Sequence, residues 1–268
     1  MRYDDFRRSD DIEDRRDEGG MGGGMGLPMG GGGLGIGTII VLGLIGYAFG
    51  IDPRILIGGA EMVSRGGAPT YQTDRRAPGK TGAPKDEMGD MISGILGEID
   101  DRWSEIFQAS GQNYTGPKIV LFRNSTNGGR CGMAQSAMGP FYCPPERQIF
   151  LDTGFFREVE TRFHGCSGNA CKFTAAYIIA HEAGHHVQNL LNILPRVTRL
   201  QQQSGSKAEA NALQVKVELQ ADCLSGVWVN REAKKRPGFL EEGDIDAALT
   251  TARIFSTSSV TISRAASL

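Results

Sequence analysis

Apolar residues recur at helical spacing in the first stretch of the chain that has the pattern of a folded domain. Between residues 85 and 110 they fall three or four positions apart, which is the period of a helix with one buried face. These residues are Met88, Met91, Ile92, Ile95, Leu96, Ile99, Trp103, Ile106 and Phe107. The pattern therefore predicts an amphipathic helix at the start of a domain that begins near Lys85.

Two short apolar runs further along the chain predict buried strands. Lys118–Phe122 (KIVLF) and Gln148–Asp152 (QIFLD) are rich in Ile, Val, Leu and Phe, as strands covered on both faces are. Helical periodicity then returns, and Pro195 and Pro237 mark expected helix ends. The predicted helices cover residues 153–163, 170–194, 208–236 and 244–255. Helices with a few strands among them predict an α+β fold.

The first 51 residues differ from this pattern. Residues 1–33 are densely charged and then rich in glycine and methionine, which predicts a disordered tail because too little apolar surface is present for a core. Residues 34–51 contain no charge, and as a helix they would extend about 27 Å, close to the roughly 30 Å of a bilayer core. A cleavable signal peptide is the alternative. A single uncleaved transmembrane helix is favoured because the lead-in is long for a signal peptide.

Charges around the apolar segment predict its orientation. Five arginines precede it and two follow it closely, and arginine-rich flanks stay in the cytoplasm. A cell-membrane protein with a single pass is therefore expected, with a cytoplasmic N-terminus and its catalytic domain periplasmic or extracellular. Residues 52–84 are expected to form a flexible linker, and residues 85–268 the folded domain. The spacing of Gly46 and Gly50 allows pairing with an unidentified membrane partner, although it also fits a simply glycine-rich span.

Composition narrows the class of protein. The chain has 268 residues, of which 40% are hydrophobic, and a formal net charge of -2. This is enough apolar material for a core but too little for a polytopic membrane protein. The near-balanced charge argues against a nucleic-acid partner, since that role usually needs a basic surface.

The five cysteines suggest disulfides if the domain lies outside the cytoplasm. The simplest local pairing joins Cys131 to Cys143 and Cys166 to Cys171, which leaves Cys223 unpaired and buried on a helix. Spacing alone does not determine the connectivity. A zinc site made of cysteines is the alternative, and it is disfavoured because the chain has no CxxC pair.

The strongest chemical signal is the segment His181-Glu182-Ala183-Gly184-His185. Residues four apart on a helix share a face, so the two histidines can bind one small cation from the same side. Glu182 lies beside that face and can reach water at the cation without binding the cation itself, which is the zincin arrangement. Apolar residues flank the motif, so the helix is expected to be buried, where unpaired polar groups would cost several kcal/mol.

A third metal ligand is needed, and no histidine follows His186 in the chain. Glu218 and Asp222 lie four residues apart on the next long predicted helix, among apolar neighbours. Glu218 can complete a set of two histidines and one glutamate that holds one zinc ion per chain. Asp222 can accept a hydrogen bond from the outer ring N–H of His181 and so fix its tautomer. The alternative is that both carboxylates are solvated helix charges.

The two segments HEAGH and ELQAD resemble the HExxH…ExxxD pattern of the thermolysin-like gluzincins. More closely, they resemble the bacterial family of membrane-anchored neutral zinc metallopeptidases. The likeness extends to the opening MRYDDFRRSDDIEDRR, to GPFYCP at Gly139–Pro144 and to IFLDTGFF at Ile149–Phe156, whereas the C-terminal FSTSSVTISRAASL differs. The resemblance implies a zincin-like metallopeptidase domain with a helical active-site core and a small sheet.

The expected activity is hydrolysis of peptide bonds in a peptide or protein substrate. Zinc held by the two histidines and Glu218 would lower the pKa of water and polarise a carbonyl, with Glu182 as general base. The candidates for contacts to the substrate or the oxyanion are Tyr142, His164 and His186. A purely structural role is favoured for Tyr142 and His164, and a position at the surface or in support of the ligands is favoured for His186. By analogy with zincins, residues 132–141 are expected to form an edge strand that pairs with an extended peptide.

Two other functions fit the same residues. One is a catalytically silent, membrane-tethered binding or scaffold domain with a structural zinc, a role for which Glu182 would not be needed. The other is a zinc amidohydrolase that acts on cell-wall peptide, which the sequence does not separate from a peptidase.

Overall fold

The structure, a computed structural model, describes residues 1–17 and 79–253. Its strands are β1 (Ile12–Asp14), β2 (Lys80–Thr81), β3 (Lys118–Phe122), β4 (Ser125–Asn127), β5 (Met133–Gln135), β6 (Phe141–Cys143) and β7 (Gln148–Asp152). Its helices are α1 (Glu87–Ala109), α2 (Phe155–Thr161), α3 (Ala170–Leu190), α4 (Ile193–Gln202), α5 (Lys207–Lys235) and α6, over 244–253. The two strands predicted from apolar runs, β3 and β7, have the predicted bounds.

Five of these strands form a mixed sheet in the order β2-β1-β3-β7-β6. Strands β1, β3 and β7 run parallel, whereas β2 and β6 are antiparallel to their neighbours. The buried residues of β3 and β7 that belong to the main core are Ile119, Leu121, Ile149 and Leu151. The alternate residues Val120, Phe122 and Phe150 pack with Ala134 and Cys143 in a second cluster. Successive side chains of a strand point to opposite faces, so the sheet is buried on both sides.

The main core lies between the sheet and helices α1, α3 and α5. Helix α1 begins where the side chain of Asp86 accepts a hydrogen bond from the backbone N–H of Gly89, at 3.0 Å. Helix α5 begins in the same way at Ser206, whose hydroxyl accepts from the N–H of Glu209 at 3.2 Å. Such caps satisfy backbone donors that the first helical turn leaves free. They fix where the two longest helices start.

The N-terminal segment, residues 1–17, belongs to this fold, so the prediction of disorder over residues 1–33 was wrong for this part; residues 18–33 lie outside the described residues. Strand β1 pairs in parallel with β3, and Met1, Phe6 and Ile12 are buried in the main core. Composition suggested disorder because the segment is mostly charged. In the structure several of those charges have partners elsewhere in the chain.

Arginines of this segment pair with acidic residues of α1. The guanidinium of Arg8 lies 2.6 Å from the carboxylate of Asp90, and that of Arg7 lies 2.9 Å from Asp101. The backbone N–H of Arg7 also donates to Glu98, at 2.9 Å, and Glu98 is buried. Exposed ion pairs stabilise weakly on their own. Here they accompany strand pairing and three buried apolar side chains, which together hold the segment in place.

The predicted transmembrane helix, residues 34–51, lies outside the described residues. Within residues 1–17 and 79–253, no helix is long and apolar enough to cross a membrane. The expectation of an α+β domain preceded by a single membrane helix, and the single-pass localisation derived from it, are therefore corrected. The described residues form mixed helix and sheet, with the N-terminal segment and residues 79–253 in one compact unit.

The helix predicted over residues 170–194 is two helices in the structure. Helix α3 ends at Leu190, and Asn192 has the left-handed φ of 60° that breaks the helix. Pro195, predicted as a helix end, instead lies in the first turn of α4, where its missing N–H leaves no hydrogen bond unmade. This break turns α4 away from the axis of α3.

Both predicted disulfides are present. Cys131 bonds to Cys143, which ties β6 to the turn before β5. Cys166, in the segment before α3, bonds to Cys171 in the first turn of α3. Cys223 is free, as predicted, but exposed on α5, so the expectation of burial was wrong.

A substitution at Gly97 would test how closely the N-terminal segment packs on α1. A Cβ added there would lie 1.9 Å from the carbonyl oxygen of Arg7, whereas one added at Gly226 on α5 would meet nothing within 4 Å. Alanine in a helix interior normally stabilises by about 0.5–1 kcal/mol over glycine. We expect Gly226→Ala to show that gain and Gly97→Ala to lower the free energy of unfolding by about 2 kcal/mol in urea titrations. Equal gains in both variants would contradict the packing described.

The free energy of unfolding of the protein should depend on pH through the titration of Asp100. Tyr114 donates to its carboxylate at 3.2 Å, and burial raises the pKa of Asp100 to about 7. Because this pKa lies above that of the unfolded chain, its stabilising contribution is complete at pH 4 and is lost as the pH rises through 7. Asp100→Asn removes the titration. Its stability relative to the unsubstituted protein should therefore rise between pH 4 and pH 8 by on the order of 2–4 kcal/mol.

The measurement is urea unfolding of both proteins across that pH range. Glu87→Gln, at the exposed start of the same helix, is the matched control and should shift stability by a similar amount at each pH. A pH-independent effect of Asp100→Asn would show that Asp100 is charged in the folded protein at every pH tested.

Candidate metal centre

Helices α3 and α5 cross closely at small residues. Ala183 and Ala221 are fully buried. A Cβ added to Gly184 would lie 3.0 Å from the carbonyl oxygen and 3.2 Å from the Cα of Ala221. A side chain at position 184 would press on the backbone of Ala221, so glycine favours this close approach of the two helices. The crossing places one face of α3 within side-chain reach of α5.

Three side chains meet at this crossing. His181 and His185 lie one turn apart on α3, and Glu218 approaches both from α5. Oε2 of Glu218 lies 3.3 Å from Nε2 of His181 and 3.4 Å from Nε2 of His185. One ligand atom from each residue lies within 4.8 Å of the others. The structure therefore brings together the three ligands predicted from the sequence.

His181 is oriented from the far side of its ring, as the sequence analysis expects. Its Nδ1 lies 2.8 Å from Oδ1 of Asp222. The hydroxyl of Tyr177 donates to the same oxygen at 2.5 Å. With Asp222 accepting, Nδ1 carries the proton and Nε2 keeps its lone pair, directed at the cluster. Tyr177, one turn before His181 on α3, is a member of the site that sequence reasoning missed.

His185 has an equivalent support that sequence reasoning also missed. Its Nδ1 lies 2.8 Å from Oε1 of Gln188, which is fully buried. The amide of Gln188 donates in turn to the backbone carbonyl of Val217, at 2.8 Å, and to the side chain of Gln220, at 3.0 Å. Gln188 thus fixes the tautomer of His185 and anchors it to α5 beside Glu218. Its spacing of three residues from His185 was the available signal.

The two remaining acidic and polar groups are Glu182 and Gln214. Glu182 is nearly buried, with 8% of its surface exposed, and lines the cleft at the cluster. Gln214, one turn before Glu218 on α5, donates to Oε1 of Glu218 at 2.6 Å. This bond occupies the outer oxygen of the Glu218 carboxylate and leaves Oε2 for the histidine side.

Three carboxylates, those of Glu182, Glu218 and Asp222, surround the two imidazoles of His181 and His185. Burial lowers the pKa of His181, but its bonds to Asp222 and Glu218 outweigh burial and raise the pKa to about 10. Burial also lowers the pKa of His185. The hydrogen bond to Glu218 and the charge of Glu182 act in the other direction, and the net result is a raised pKa. The imidazoles in turn lower the pKa of Glu218 despite its burial. The carboxylates therefore stabilise positive charge at the point where the three side chains meet.

The donor set fits zinc. Zinc takes histidine nitrogen and carboxylate oxygen at about 2.0–2.1 Å in a tetrahedron, which separates neighbouring ligand atoms by about 3.3–3.4 Å. The distances from Glu218 to His181 and His185 are 3.3 and 3.4 Å. A divalent cation would supply the positive charge that the carboxylates stabilise, and the supports on both outer ring nitrogens are those of metal-ligating histidines.

The other predicted candidates lie differently. His186 is fully buried: its Nε2 donates to the carbonyl of Thr115 at 2.7 Å, and its Nδ1 accepts from the hydroxyl of Tyr142 at 3.0 Å. Burial lowers the pKa of His186 to about 4, so the ring is neutral. Tyr142 lines the cleft, but Asn189 donates to its hydroxyl, at 2.9 Å, so that group is engaged. The structure does not bring His164, exposed with φ 50°, to the cleft.

A cleft of about 840 Å³ opens over the three candidate metal ligands. One wall is the segment Met138–Pro144, which includes β6, and the other is formed by α4 and α5. The residues of α4 in this wall are Leu194, Val197, Thr198 and Gln201. The site is therefore open to a ligand of peptide size, with the cluster of His181, His185 and Glu218 at its floor.

Comparison with known proteins agrees with this chemistry. The family model described as "Putative neutral zinc metallopeptidase" matches residues 1–261, and the chain belongs to that family, as the resemblance predicted. The uncharacterized protein YpfJ of Escherichia coli strain K12 is 39% identical over 257 residues, which cover 94% of this chain and 82% of that protein. An uncharacterized protein of Mycobacterium tuberculosis strain H37Rv is 40% identical over 162 residues, 58% of this chain and 50% of that protein. No solved structure matches the chain.

Gln188 provides a test of the metal centre in the full chain. Gln188→Leu keeps the volume but removes the acceptor for His185, and loss of such a partner typically weakens metal affinity about 10–100-fold. His185→Ala and Glu218→Ala should lose the bound zinc outright. Zinc content and competition with a chelator of known affinity measure both effects.

Gln220→Leu is the matched control for Gln188→Leu. It removes one bond to the amide of Gln188 but leaves the acceptor of His185 in place. We expect it to change zinc affinity less than three-fold, well below the effect of losing a partner of the ligand itself. If both leucine variants bind zinc as tightly as the unsubstituted protein, the role given to Gln188 is wrong.

Proposed function

We propose that this protein is a zinc-dependent peptidase that hydrolyses peptide bonds with Glu182 as general base. The observation that carries the proposal is the convergence of His181, His185 and Glu218 at the floor of an open cleft, with Glu182 beside them. A buried structural zinc would need neither the cleft nor the additional carboxylate. Membership of the zinc metallopeptidase family agrees with this proposal.

The roles of the residues follow from their positions. His181, His185 and Glu218 would hold one zinc ion per chain, and zinc, when bound, polarises a carbonyl oxygen and makes water acidic enough to react near neutral pH. Asp222 and Gln188 keep each imidazole in the tautomer that presents Nε2 to the cluster. These groups are therefore in place before a substrate arrives, which is the condition for efficient catalysis.

Glu182 moves the proton. It takes one proton from the attacking water as the water oxygen bonds to the peptide carbon, and it gives that proton to the amine nitrogen when the C–N bond breaks. Its carboxylate is outside the ligand cluster but close enough to both imidazoles to raise the pKa of each. It is thus at the cluster without being one of its three ligands.

A substrate strand can pair with β6. Strand β6 is at the end of the sheet order and lines the cleft. The prediction that residues 132–141 form this edge strand was wrong in its bounds. Those residues include β5, which pairs with β4, and a turn of 3₁₀ helix over Ser136–Met138. An extended peptide would add to β6 through backbone hydrogen bonds.

Glu182→Gln tests the assignment. The amide is nearly the same size but cannot accept a proton, so we expect zinc content to be unchanged and hydrolysis of casein to fall at least about 100-fold, the contribution of a general base. Zinc content and release of soluble peptides, with and without chelator, are the measurements. Glu242→Gln, exposed beyond α5, is the matched control and should keep full activity.

Persisting hydrolysis in Glu182→Gln would refute Glu182 as the base. Cleavage of cell-wall fragments but not of casein by the unsubstituted protein would favour the amidohydrolase. One tightly bound zinc with no cleavage of either would favour the binding or scaffold domain.

A further inference from the structure

Large apolar side chains line the cleft from both walls and are exposed. Val215 and Leu219 lie one turn apart on α5, with 45% and 61% of their surface exposed, and Met138 on the opposite wall is 55% exposed. Leu194 and Val197 of α4 continue the same apolar wall. Exposed apolar side chains are unremarkable when scattered, but a group of them in one cleft marks a binding surface.

The described walls of the cleft carry no charged side chain outside the metal centre. None of the described residues that line it is Lys or Arg, and its acidic residues are Glu182, Glu218 and Asp222 of the metal centre. A ligand carboxylate that lies along either wall, away from the metal centre, would therefore find no cationic side chain to pair with among these residues. An exopeptidase that recognises a free C-terminus needs a cationic partner for it, because a desolvated carboxylate must be paired.

We propose that the cleft selects internal, uncharged stretches of polypeptide by an apolar side chain beside the scissile bond. That side chain packs on Leu219 and Val215, with Met138 opposite. This rests on the proposed function, since the polypeptide is the substrate of the peptidase. Leu219 is the specificity-determining residue because it is the most exposed of the three and directly follows the ligand Glu218 in the chain.

Binding can be measured apart from turnover. The zinc-loaded Glu182→Gln protein would be titrated with two fluorescent peptides of ten residues that differ only in a central Leu or Asp, and anisotropy would report binding. We expect the Leu peptide to bind at least about ten-fold more tightly, the discrimination that one apolar pocket provides. Equal affinities, or no binding of the Leu peptide up to about 1 mM, a typical upper limit for peptidase substrates, would overturn the proposal.

A charge introduced at Leu219 should change the preference. In the same Glu182→Gln background, Leu219→Lys should weaken binding of the Leu peptide and strengthen binding of the Asp peptide, with zinc content unchanged. Leu249→Lys is the matched control, since Leu249 is 52% exposed on α6 and does not line the cleft. If both lysine variants change the two affinities alike, the effect is one of net charge and Leu219 does not determine specificity.

Recognition of an internal stretch has its own test. The Leu peptide with a free C-terminus and the same peptide with an amidated one should bind within two-fold of each other. A free carboxylate that strengthens binding more than ten-fold would overturn this part of the proposal. Selective binding of the Leu peptide without hydrolysis by the unsubstituted protein would refute the peptidase activity but support the apolar binding site. Hydrolysis without selective binding would support the peptidase activity but refute the apolar binding site.

Discussion

The candidate metal centre depends on the close contact between helices α3 and α5. Two imidazoles on one helix make an incomplete site, and Glu218 completes it only where the backbones approach at Gly184 and Ala221. Buried carboxylates that lack a partner destabilise a fold strongly. Here Glu218 faces both imidazoles and Asp222 faces His181, so a cation bound between them would hold the two helices together.

The same contact explains why both histidines are held so similarly. Asp222 binds the outer nitrogen of His181 directly from α5, and Gln188 binds that of His185 while its amide is bonded to the backbone of α5. Any shift of one helix along the other would break both supports together. The open cleft above them, with apolar walls and an acidic floor, is what distinguishes this arrangement from a buried structural metal site.

The N-terminal segment shows where a reading of composition fails. Its charge density is that of a solvated tail, and its few apolar residues are too far apart to form a core by themselves. The fold uses Ile12 and Phe6 as parts of a core built elsewhere, and the arginines pair with acids on α1. No local pattern carries this information because the partners are contributed by distant parts of the chain. His186 is a similar case: its neighbour in the sequence is a candidate metal ligand, yet its own partners are Tyr142 and a backbone carbonyl.

The amino-acid sequence by itself indicated most of the helices, the two buried strands β3 and β7, the two disulfides as the simplest pairing, and the three candidate ligands. These follow from periodicity and spacing, which are properties of a single element and of its immediate neighbours. The tertiary structure alone decided that β1 joins the sheet, that β6 is its edge, and that Gln188 supports His185 from a fully buried position. Such pairings depend on the sum of many weak contacts between distant segments, and only the assembled backbone brings those segments within reach.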